Sequence, residues 1–300
     1  MCRKFSSKFF IASLALPYGL EPRITDGEDA VPGEFPYQVS VQYGLPPILP
    51  FSHICGGSIL NKNHVITAGH CIINRLGKLR VIAGKHVLLE TESTEQVVDV
   101  AKSYVHEKYP GYVFAIYTIK NQFFHVQLEL TKAKICELIT LLLRFFRGVA
   151  PYDIAVLKLS THLIFNERVS AVNLPQQNEV RIGNVVLSGW GSTSKNLLPT
   201  LPKVLQKATI PLLDNQSCLK KLEIVGSVQL YDSQICTDAV KETSACSGDS
   251  GGPLVQFDGN NPTQLGIVSW GVYPCGVSGS PSVYTRVSSY VDWIEHIVNA

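Results

Sequence analysis

The chain has little charge of either sign and almost no imbalance between the two. Its 300 residues include 26 lysine and arginine residues against 24 aspartate and glutamate residues, so the formal net charge is only +2 and charged residues make up 17% of the chain. Proteins that bind nucleic acid or anionic membranes usually carry a basic run or stripe. We therefore expect neither partner, and we expect selectivity to come from a pocket.

Membrane-length apolar runs and CxxC pairs are not found either. The missing CxxC spacing among the eight cysteines excludes the usual zinc patterns, and we expect no cofactor. The apolar run Phe9–Leu16 is too short to span a bilayer, and it follows the basic residues Arg3, Lys4 and Lys8. Residues 1–16 are therefore predicted to be a secretory signal, cleaved near residue 15, and the protein is predicted to be secreted. The alternative is an irregular amino terminus of an intracellular protein.

Short segments rich in β-branched residues, separated by turn residues, fill most of the chain from Phe35 onward. This pattern is typical of antiparallel barrels and not of βαβ units, so periodicity alone predicts an all-β protein. Only Ser288–Val298 has helical spacing, with Val291, Ile294 and Val298 on one face and a serine cap before it. The clearest strand segments are Tyr37–Gln42, Gly57–Leu60, Val81–Ala83, Gln96–Val100, Asn184–Leu187 and Leu265–Ser269.

Three motifs contain the residue types of nucleophilic catalysis: a serine between glycines (Ser250), a histidine after a strand-like segment (His70) and an aspartate before an apolar strand (Asp153). Glycines allow a sharp turn that exposes backbone N–H groups beside a nucleophile. Taken singly, each motif has an ordinary alternative, namely a surface turn, a structural histidine or a capping aspartate. The motifs are Val65-Ile-Thr-Ala-Gly-His-Cys71, Pro151-Tyr-Asp-Ile-Ala-Val-Leu-Lys-Leu159 and Cys246-Ser-Gly-Asp-Ser-Gly-Gly-Pro253.

All three motifs resemble those of the chymotrypsin family of serine peptidases, and their order, His, Asp, Ser, differs from that of subtilisins and α/β-hydrolases. The resemblance implies two antiparallel six-stranded Greek-key β-barrels with the active site between them and a C-terminal α-helix. It implies that Ser250 is the nucleophile, His70 the general base and Asp153 the residue that orients the imidazole. The backbone N–H groups of Gly248 and Ser250 would bind the oxyanion. Gly69 stands where alanine is commoner in the family.

The same resemblance implies activation by cleavage. A trypsin-like protease would cut after Arg23 and release the amino group of Ile24, which would pair with Asp249 in a buried ion pair. Residues 17–23 would then be a short activation propeptide and residues 24–300 the peptidase domain. The alternative is an unprocessed N-terminal strand. The implied disulfide bonds, which fit an oxidising compartment, are Cys55–Cys71, Cys218–Cys236 and Cys246–Cys275.

The implied substrate pocket has Ser244 at its base, Ser269, Trp270 and Gly271 along one wall, and Ser282 beside them. Ser244 lacks the charge with which a trypsin-like pocket holds lysine or arginine. Gly271 leaves the entrance open, whereas Ser282 narrows the depth, so we expect cleavage after large or medium apolar residues. An elastase-like preference for small residues and a catalytically silent binding or regulatory module remain as alternatives.

The partners expected from the resemblance are protein or peptide substrates, an activating trypsin-like protease and protein protease inhibitors, and the protein is expected to be a monomer. In some relatives a loop corresponding to Gly84–Glu95 binds calcium through carboxylates. Because Lys85 stands where the first acidic ligand is expected, we expect no metal. Asn215-Gln-Ser217 is a candidate glycosylation site.

Residues 112–147 have no counterpart in the family. They are rich in Phe, Ile and Leu and contain Cys136 but no Gly or Pro, and their removal leaves an uninterrupted peptidase sequence. We favour a translated intron, because Gly111-Tyr-Val and Phe145-Phe-Arg-Gly can be encoded with splice donor and acceptor sites in the same phase. The alternative is a loop insertion with a helix over about residues 129–146, beside the substrate cleft.

Overall fold

The computed structural model describes residues 27–72, 77–111, 150–193, 200–223, 228–239, 243–272, 275 and 279–300. The predicted signal, the propeptide with Arg23 and Ile24, and the segment 112–147 lie outside these residues. In the described part of the chain the strands form two closed antiparallel barrels, which confirms the expected all-β fold.

The first barrel closes in the order β2-β3-β4-β7-β6-β5. Its interior is lined by β-branched and aliphatic side chains, which pack well on a pleated surface; Val39, Ile59, Val65 and Leu157 are fully buried. The strands are β2 (Gln38–Leu45), β3 (Leu49–Asn61), β4 (His64–Thr67), β5 (Lys78–Ala83), β6 (Gln96–Val105) and β7 (Ala155–Leu159).

The second barrel has the order β9-β10-β13-β12-β11-β8 and closes because β8 also pairs with β9. The short strand β1 (Glu28–Asp29) pairs with the first two residues of β9, Gln206 and Lys207. All six segments predicted as strands overlap observed strands. The barrel consists of β8 (Asn184–Gly189), β9 (Gln206–Leu213), β10 (Gln234–Thr237), β11 (Pro253–Asp258), β12 (Asn261–Gly271) and β13 (Ser282–Arg286).

Two α-helices are present in the described residues, α1 (Asn215–Leu222), which the sequence pattern did not indicate, and the predicted C-terminal helix α2 (Val291–Val298). The carboxylate of Asp214 accepts a hydrogen bond from the backbone N–H of Ser217 and caps α1. Cys218 and Leu222, four residues apart on one face, are fully buried. The Asp214 cap and these two buried side chains stabilise the short helix. Over the same residues, no helix is both long and apolar enough to cross a membrane.

The C-terminal helix is confirmed, but its start differs from the prediction. Ser288 lies in a 3₁₀ turn, Val287–Ser289, and its Oγ donates to the carbonyl of Glu179 at 2.8 Å, so it does not cap α2. The helix begins after Tyr290 without a side-chain cap. Its buried face includes Ile297, whereas Val298 is only partly buried.

The three predicted disulfide bonds are present. Cys55–Cys71 joins β3 to the 3₁₀ turn Gly69–Cys71 that carries His70. Cys218–Cys236 joins α1 to β10, and Cys246–Cys275 anchors the start of the Ser250 loop. Closure of a loop with the 16-residue separation of Cys55 and Cys71 contributes about 3 kcal/mol on the chain-entropy model.

Candidate active site

The loop that carries Ser250 lies at the junction of the two barrels. The carbonyl of Ser250 accepts a hydrogen bond from the backbone N–H of Gly56 in β3 at 2.8 Å. The N–H of Gly251 donates to the carbonyl of Val268 in β12 at 2.8 Å. The predicted nucleophile is therefore fixed to both barrels through its own backbone and that of its neighbour.

Gly251 is the residue that allows this close approach. It has a φ of +76°, and a Cβ at this position would lie 2.1 Å from Oγ1 of Thr67 and 2.8 Å from the carbonyl oxygen of Gly56. Only glycine combines the left-handed backbone with the missing side chain. Thr67 ends β4, immediately before the turn with His70, so the same contact brings the serine loop against the histidine segment.

Asp153 and His70 form the most completely defined contact of the site. The Asp153 carboxylate is 1% exposed. It accepts from the backbone N–H of His70 and from His70 Nδ1, both at 2.8 Å, and from Ser269 Oγ at 2.6 Å. Because an ionised carboxylate only accepts, the Nδ1 proton must belong to the imidazole, which leaves Nε2 as the basic atom of the neutral ring.

Two residues that hold Asp153 were not predicted in that role. Ser269 was expected only as part of the pocket wall, and Thr285 was not expected at all; its Oγ1 donates to the Asp153 carbonyl at 2.7 Å. They lie on β12 and β13, so the second barrel holds the aspartate of the first. Serine and threonine are ordinary in strands, and no local pattern marks these two.

The third contact of the predicted triad is not closed in this structure. In the described residues no hydrogen bond joins Ser250 Oγ to His70 Nε2. Both residues are partly exposed. Catalytic hydrogen bonds are often long without substrate and tighten in the complex. Within the same residues the N–H groups of Gly248 and Ser250 donate to no backbone carbonyl.

His53 is a further residue beside the predicted oxyanion donors that sequence reasoning missed. Its Nε2 donates to the carbonyl of Gly248 at 3.0 Å, and its Nδ1 accepts from Ser40 Oγ at 2.8 Å. Burial lowers the pKa of His53 to about 4, so the ring is neutral at pH 7 and this direction of both bonds is fixed. Gly248 itself has a φ of +105°, and His53 holds its carbonyl in that conformation.

Asp249 is a completely buried carboxyl group next to the predicted nucleophile. Its two oxygens accept from the backbone N–H groups of Gly191 at 2.7 Å and Cys246 at 2.9 Å. Burial raises its pKa from 3.8 to about 6, against these two hydrogen bonds. No cation pairs with it in the described part of the chain, and its predicted partner, Ile24, lies outside that part.

The structure brings the five predicted pocket residues together at the end of β12 and the start of β13. Gly271 pairs with Ser282 across the two strands, and Ser282 Oγ accepts from the N–H of Ala245, next to Ser244, at 3.1 Å. Ser244, Ser269, Trp270 and Ser282 are buried, whereas Gly271 is exposed. Among the described residues, the only atom within 4 Å of a Cβ placed on Gly271 is Ser282 Oγ, at 3.9 Å.

Lys85 is buried inside the loop Gly84–Glu95. Its ammonium contacts the carboxylate of Glu95 and donates to the carbonyl of Glu90 at 2.8 Å. The Glu92 carboxylate accepts from the N–H groups of His86 and Val87 at 2.6 Å and 2.8 Å. The oxygen atoms of Glu90, Glu92 and Glu95 named here are thus bound by the Lys85 ammonium and by backbone N–H groups of the same loop.

Two closed barrels, a serine loop at their junction and an Asp-bound histidine define the class of serine endopeptidases. Comparison with known proteins identifies the family: a family model described as Trypsin matches residues 24–294, and the chain belongs to this family. It is accordingly a serine endopeptidase, a hydrolase of peptide bonds, which confirms the resemblance of the motifs.

Three curated relatives cover nearly the whole chain. Trypsin-1 of Astacus astacus is 38% identical over 279 residues, which are 91% of this chain and 98% of the relative. Chymotrypsin-2 of Vespa crabro is 34% identical over 273 residues, 91% of this chain and 98% of the relative. A fibrinolytic enzyme, isozyme C, of Lumbricus rubellus is 33% identical over 281 residues, 90% and 98% respectively.

Proposed function

We propose that this endopeptidase is a secreted zymogen whose activated form cleaves after apolar residues with Ser250, His70 and Asp153 as its triad. The observation that carries the proposal is the double hydrogen bond from His70, through Nδ1 and the backbone N–H, to the buried Asp153 carboxylate. That arrangement fixes one tautomer and leaves Nε2 basic, which is what a general base for a serine hydroxyl requires.

In the proposed mechanism Ser250 Oγ attacks the scissile carbonyl carbon while its proton passes to His70 Nε2. Asp153 stabilises the imidazolium formed, and the N–H groups of Gly248 and Ser250 bind the oxyanion, each worth about 3 kcal/mol in the transition state. The imidazolium then protonates the leaving amine, which departs and leaves an acyl-enzyme. Water, deprotonated by His70, attacks the ester, and the proton returns to Ser250 Oγ as the acid product leaves.

Activation by cleavage between Arg23 and Ile24 is supported by two observations. The family match begins at residue 24. Asp249 is a buried carboxyl group with a raised pKa, and its hydrogen-bond donors among the described residues are backbone N–H groups. The new amino group of Ile24 would supply the missing cation. Because Asp249 is joined to Gly248 and Ser250, this ion pair would order the backbone N–H groups that bind the oxyanion.

The proposed apolar specificity rests on Ser244 and Gly271. A buried serine at the base offers no charge to a lysine or arginine side chain. Among the described residues, only Ser282 Oγ lies within 4 Å of the place that a Cβ on Gly271 would take. Secretion is supported by the three disulfide bonds, which persist in oxidising compartments. Protein substrates, an activating protease and protein inhibitors are the partners that this proposal includes, with a monomer as the active unit.

A substrate-profile assay tests the proposal. The chain is cleaved after Arg23 and offered chromogenic peptides with Phe or Leu, Ala or Arg before the reporter group, with Ser250→Ala as the control. We expect turnover of the Phe and Leu peptides, none of the Arg peptide, and a loss of activity on the order of 10⁶-fold in the control. Turnover of the Ala peptide alone would make the enzyme elastase-like.

The assay is repeated with a form that lacks residues 112–147, which we propose to be a translated intron. If the correctly cleaved shorter form turns over none of the peptides, the protein is a silent module and the proposal fails. Transcript sequencing across Gly111 and Gly148 tests the intron separately. Reads that always contain the codons for residues 112–147 would contradict it.

A further inference from the structure

Tyr152, directly before Asp153, has a backbone conformation that tyrosine rarely adopts. Its φ is +66°, and it is one of two non-glycine residues with a positive φ in the described part of the chain. Steric repulsion of the side chain makes this left-handed region unfavourable for a bulky residue. Such a conformation persists only where the surrounding contacts fix it.

The unusual conformation of Tyr152 determines the position of the Asp153 carboxylate. The carbonyl of Tyr152 accepts from the N–H of Ile154 at 2.8 Å, so residues 152–154 form a three-residue γ-turn with Asp153 at its centre. The Asp153 carboxylate then makes hydrogen bonds to His70 and Ser269 at 2.6 to 2.8 Å. A rotation at Tyr152 would displace the start of this turn and with it the carboxylate.

The hydroxyl group of Tyr290 holds the other side of the Tyr152 backbone. Tyr290 Oη accepts from the N–H of Tyr152 at 3.1 Å. Tyr290 is 5% exposed and lies at the N-cap of α2, where its carbonyl accepts from the N–H of Ile294. A hydroxyl fixed to the C-terminal helix thus contacts the residue before the predicted triad aspartate.

Aromatic side chains surround the two tyrosines. The rings of Tyr152 and Tyr290 meet edge to face at 6.0 Å, and His106 contacts both, at 4.9 Å and 5.3 Å. Trp293 of α2 stacks on His106 at 5.0 Å and donates from its indole N–H to Glu107. Among the described residues, Trp293 thus belongs to the same aromatic cluster and makes no hydrogen bond to the Tyr152 backbone.

We propose that Tyr290 is a positioning residue for Asp153: its hydroxyl holds Tyr152 in the left-handed conformation that aims the Asp153 carboxylate at His70. This inference rests on the triad proposed above. The role is specific to the hydroxyl oxygen, because the ring contacts would survive its removal. Through its N-cap residue, the helix α2 thereby takes part in orienting the imidazole.

The test replaces Tyr290 by Phe, which keeps the ring and removes the acceptor for the Tyr152 N–H. Trp293→Phe is the matched control, because it disturbs the same cluster and leaves that hydrogen bond in place. Activated protein is counted by active-site titration, and kcat and KM are measured on the best peptide of the profile. We expect Tyr290→Phe to lower kcat about tenfold with KM unchanged, and Trp293→Phe to leave both unchanged.

A second variant tests the cause of the loss. Glycine adopts a positive φ without steric repulsion, so Tyr152→Gly in the Tyr290→Phe background should restore most of kcat. An unchanged kcat in Tyr290→Phe, an equal loss in Trp293→Phe, or no recovery in the double variant would each overturn the proposal.

A spectroscopic readout separates this proposal from the proposed function. The ¹H NMR resonance of the His70 Nδ1 proton, which is hydrogen-bonded to Asp153, can be followed even in protein that cleaves no peptide. We expect this resonance to broaden in Tyr290→Phe through faster exchange with water, and to stay sharp in Trp293→Phe. An inactive wild-type protein would refute the proposed function alone, whereas an identical resonance in wild type and Tyr290→Phe would refute the positioning role.

Discussion

Replacing Asp249 by Asn tests the proposed activation through the pH dependence of folding stability. The folded-state pKa of this fully buried carboxyl is raised from 3.8 to about 6. Between these values the folded chain keeps a proton that the unfolded chain releases, so the stabilisation from the neutral group is complete below pH 4 and is lost as the pH rises through 6. At about 1.4 kcal/mol per pKa unit, the loss amounts to about 3 kcal/mol.

The uncleaved wild-type chain should therefore lose about 3 kcal/mol more of its free energy of unfolding between pH 4 and pH 7 than Asp249→Asn does. Asparagine also loses one of the two acceptors for Gly191 and Cys246, because its amide nitrogen only donates. That cost is independent of pH, so the difference between the two pH values is the quantity to compare. Urea unfolding at pH 4 and pH 7 measures it.

Cleavage after Arg23 should make Asp249→Asn more destabilising at pH 7 than it is in the uncleaved chain. With the Ile24 amino group paired to the ionised carboxylate, removing the acid leaves a buried cation unpaired, which typically costs 3 to 5 kcal/mol. If uncleaved wild type and Asp249→Asn show the same pH dependence, the carboxyl already has a partner and the reasoning fails. If cleavage leaves the difference at pH 7 unchanged, Ile24 is not that partner.

Three further predictions concern residues around the site. Lys85→Met should lower the free energy of unfolding by about 3 to 5 kcal/mol, because it leaves the buried Glu95 carboxylate unpaired; Lys85→Met with Glu95→Gln should recover most of this, and chelators should not change wild-type unfolding. Gly251→Ala should abolish peptide turnover and destabilise the protein far more than Gly259→Ala. Gly259 has a similar φ of +62°, but no atom of the described residues lies within 4 Å of an added Cβ, so that substitution should cost about 1 to 2 kcal/mol. His53→Gln should make folding stability less sensitive to acid. Because the His53 pKa is lowered to about 4, the neutral ring contributes stability that is complete above pH 6.5 and is lost as the pH falls towards 4, about 3 kcal/mol in all. Equal acid sensitivity of unfolding in wild type and variant would contradict this.

The residues of the proposed triad could be found from sequence because each lies in a motif with a strong local constraint. Gly251 must be glycine where the serine loop meets Thr67. Asp153 must be followed at once by a buried strand. Local requirements of this kind leave a readable pattern, and so do strands built from β-branched residues on alternating faces.

The supporting contacts could not be found in the same way, since they join residues far apart in the chain. Asp153 and Thr285 are separated by 132 residues, and Tyr152 and Tyr290 by 138. A serine or threonine in a strand has no feature that reveals its partner. The helix α1 was missed for another reason: two buried positions and one capping aspartate give too weak a periodic signal against a background of strands.

Each barrel makes hydrogen bonds to a proposed catalytic residue of the other barrel. These contacts are formed by folding, whereas the proposed activation concerns a different part of the site. Asp153, from the first barrel, is held by Ser269 and Thr285 of the second, and Ser250 is held in turn by Gly56 of the first. None of these contacts involves Asp249, whose two hydrogen bonds remain within the segments around Gly191 and Cys246. The His70–Asp153 pair is therefore complete in the uncleaved chain, and the proposed cleavage would act on the oxyanion-binding side alone.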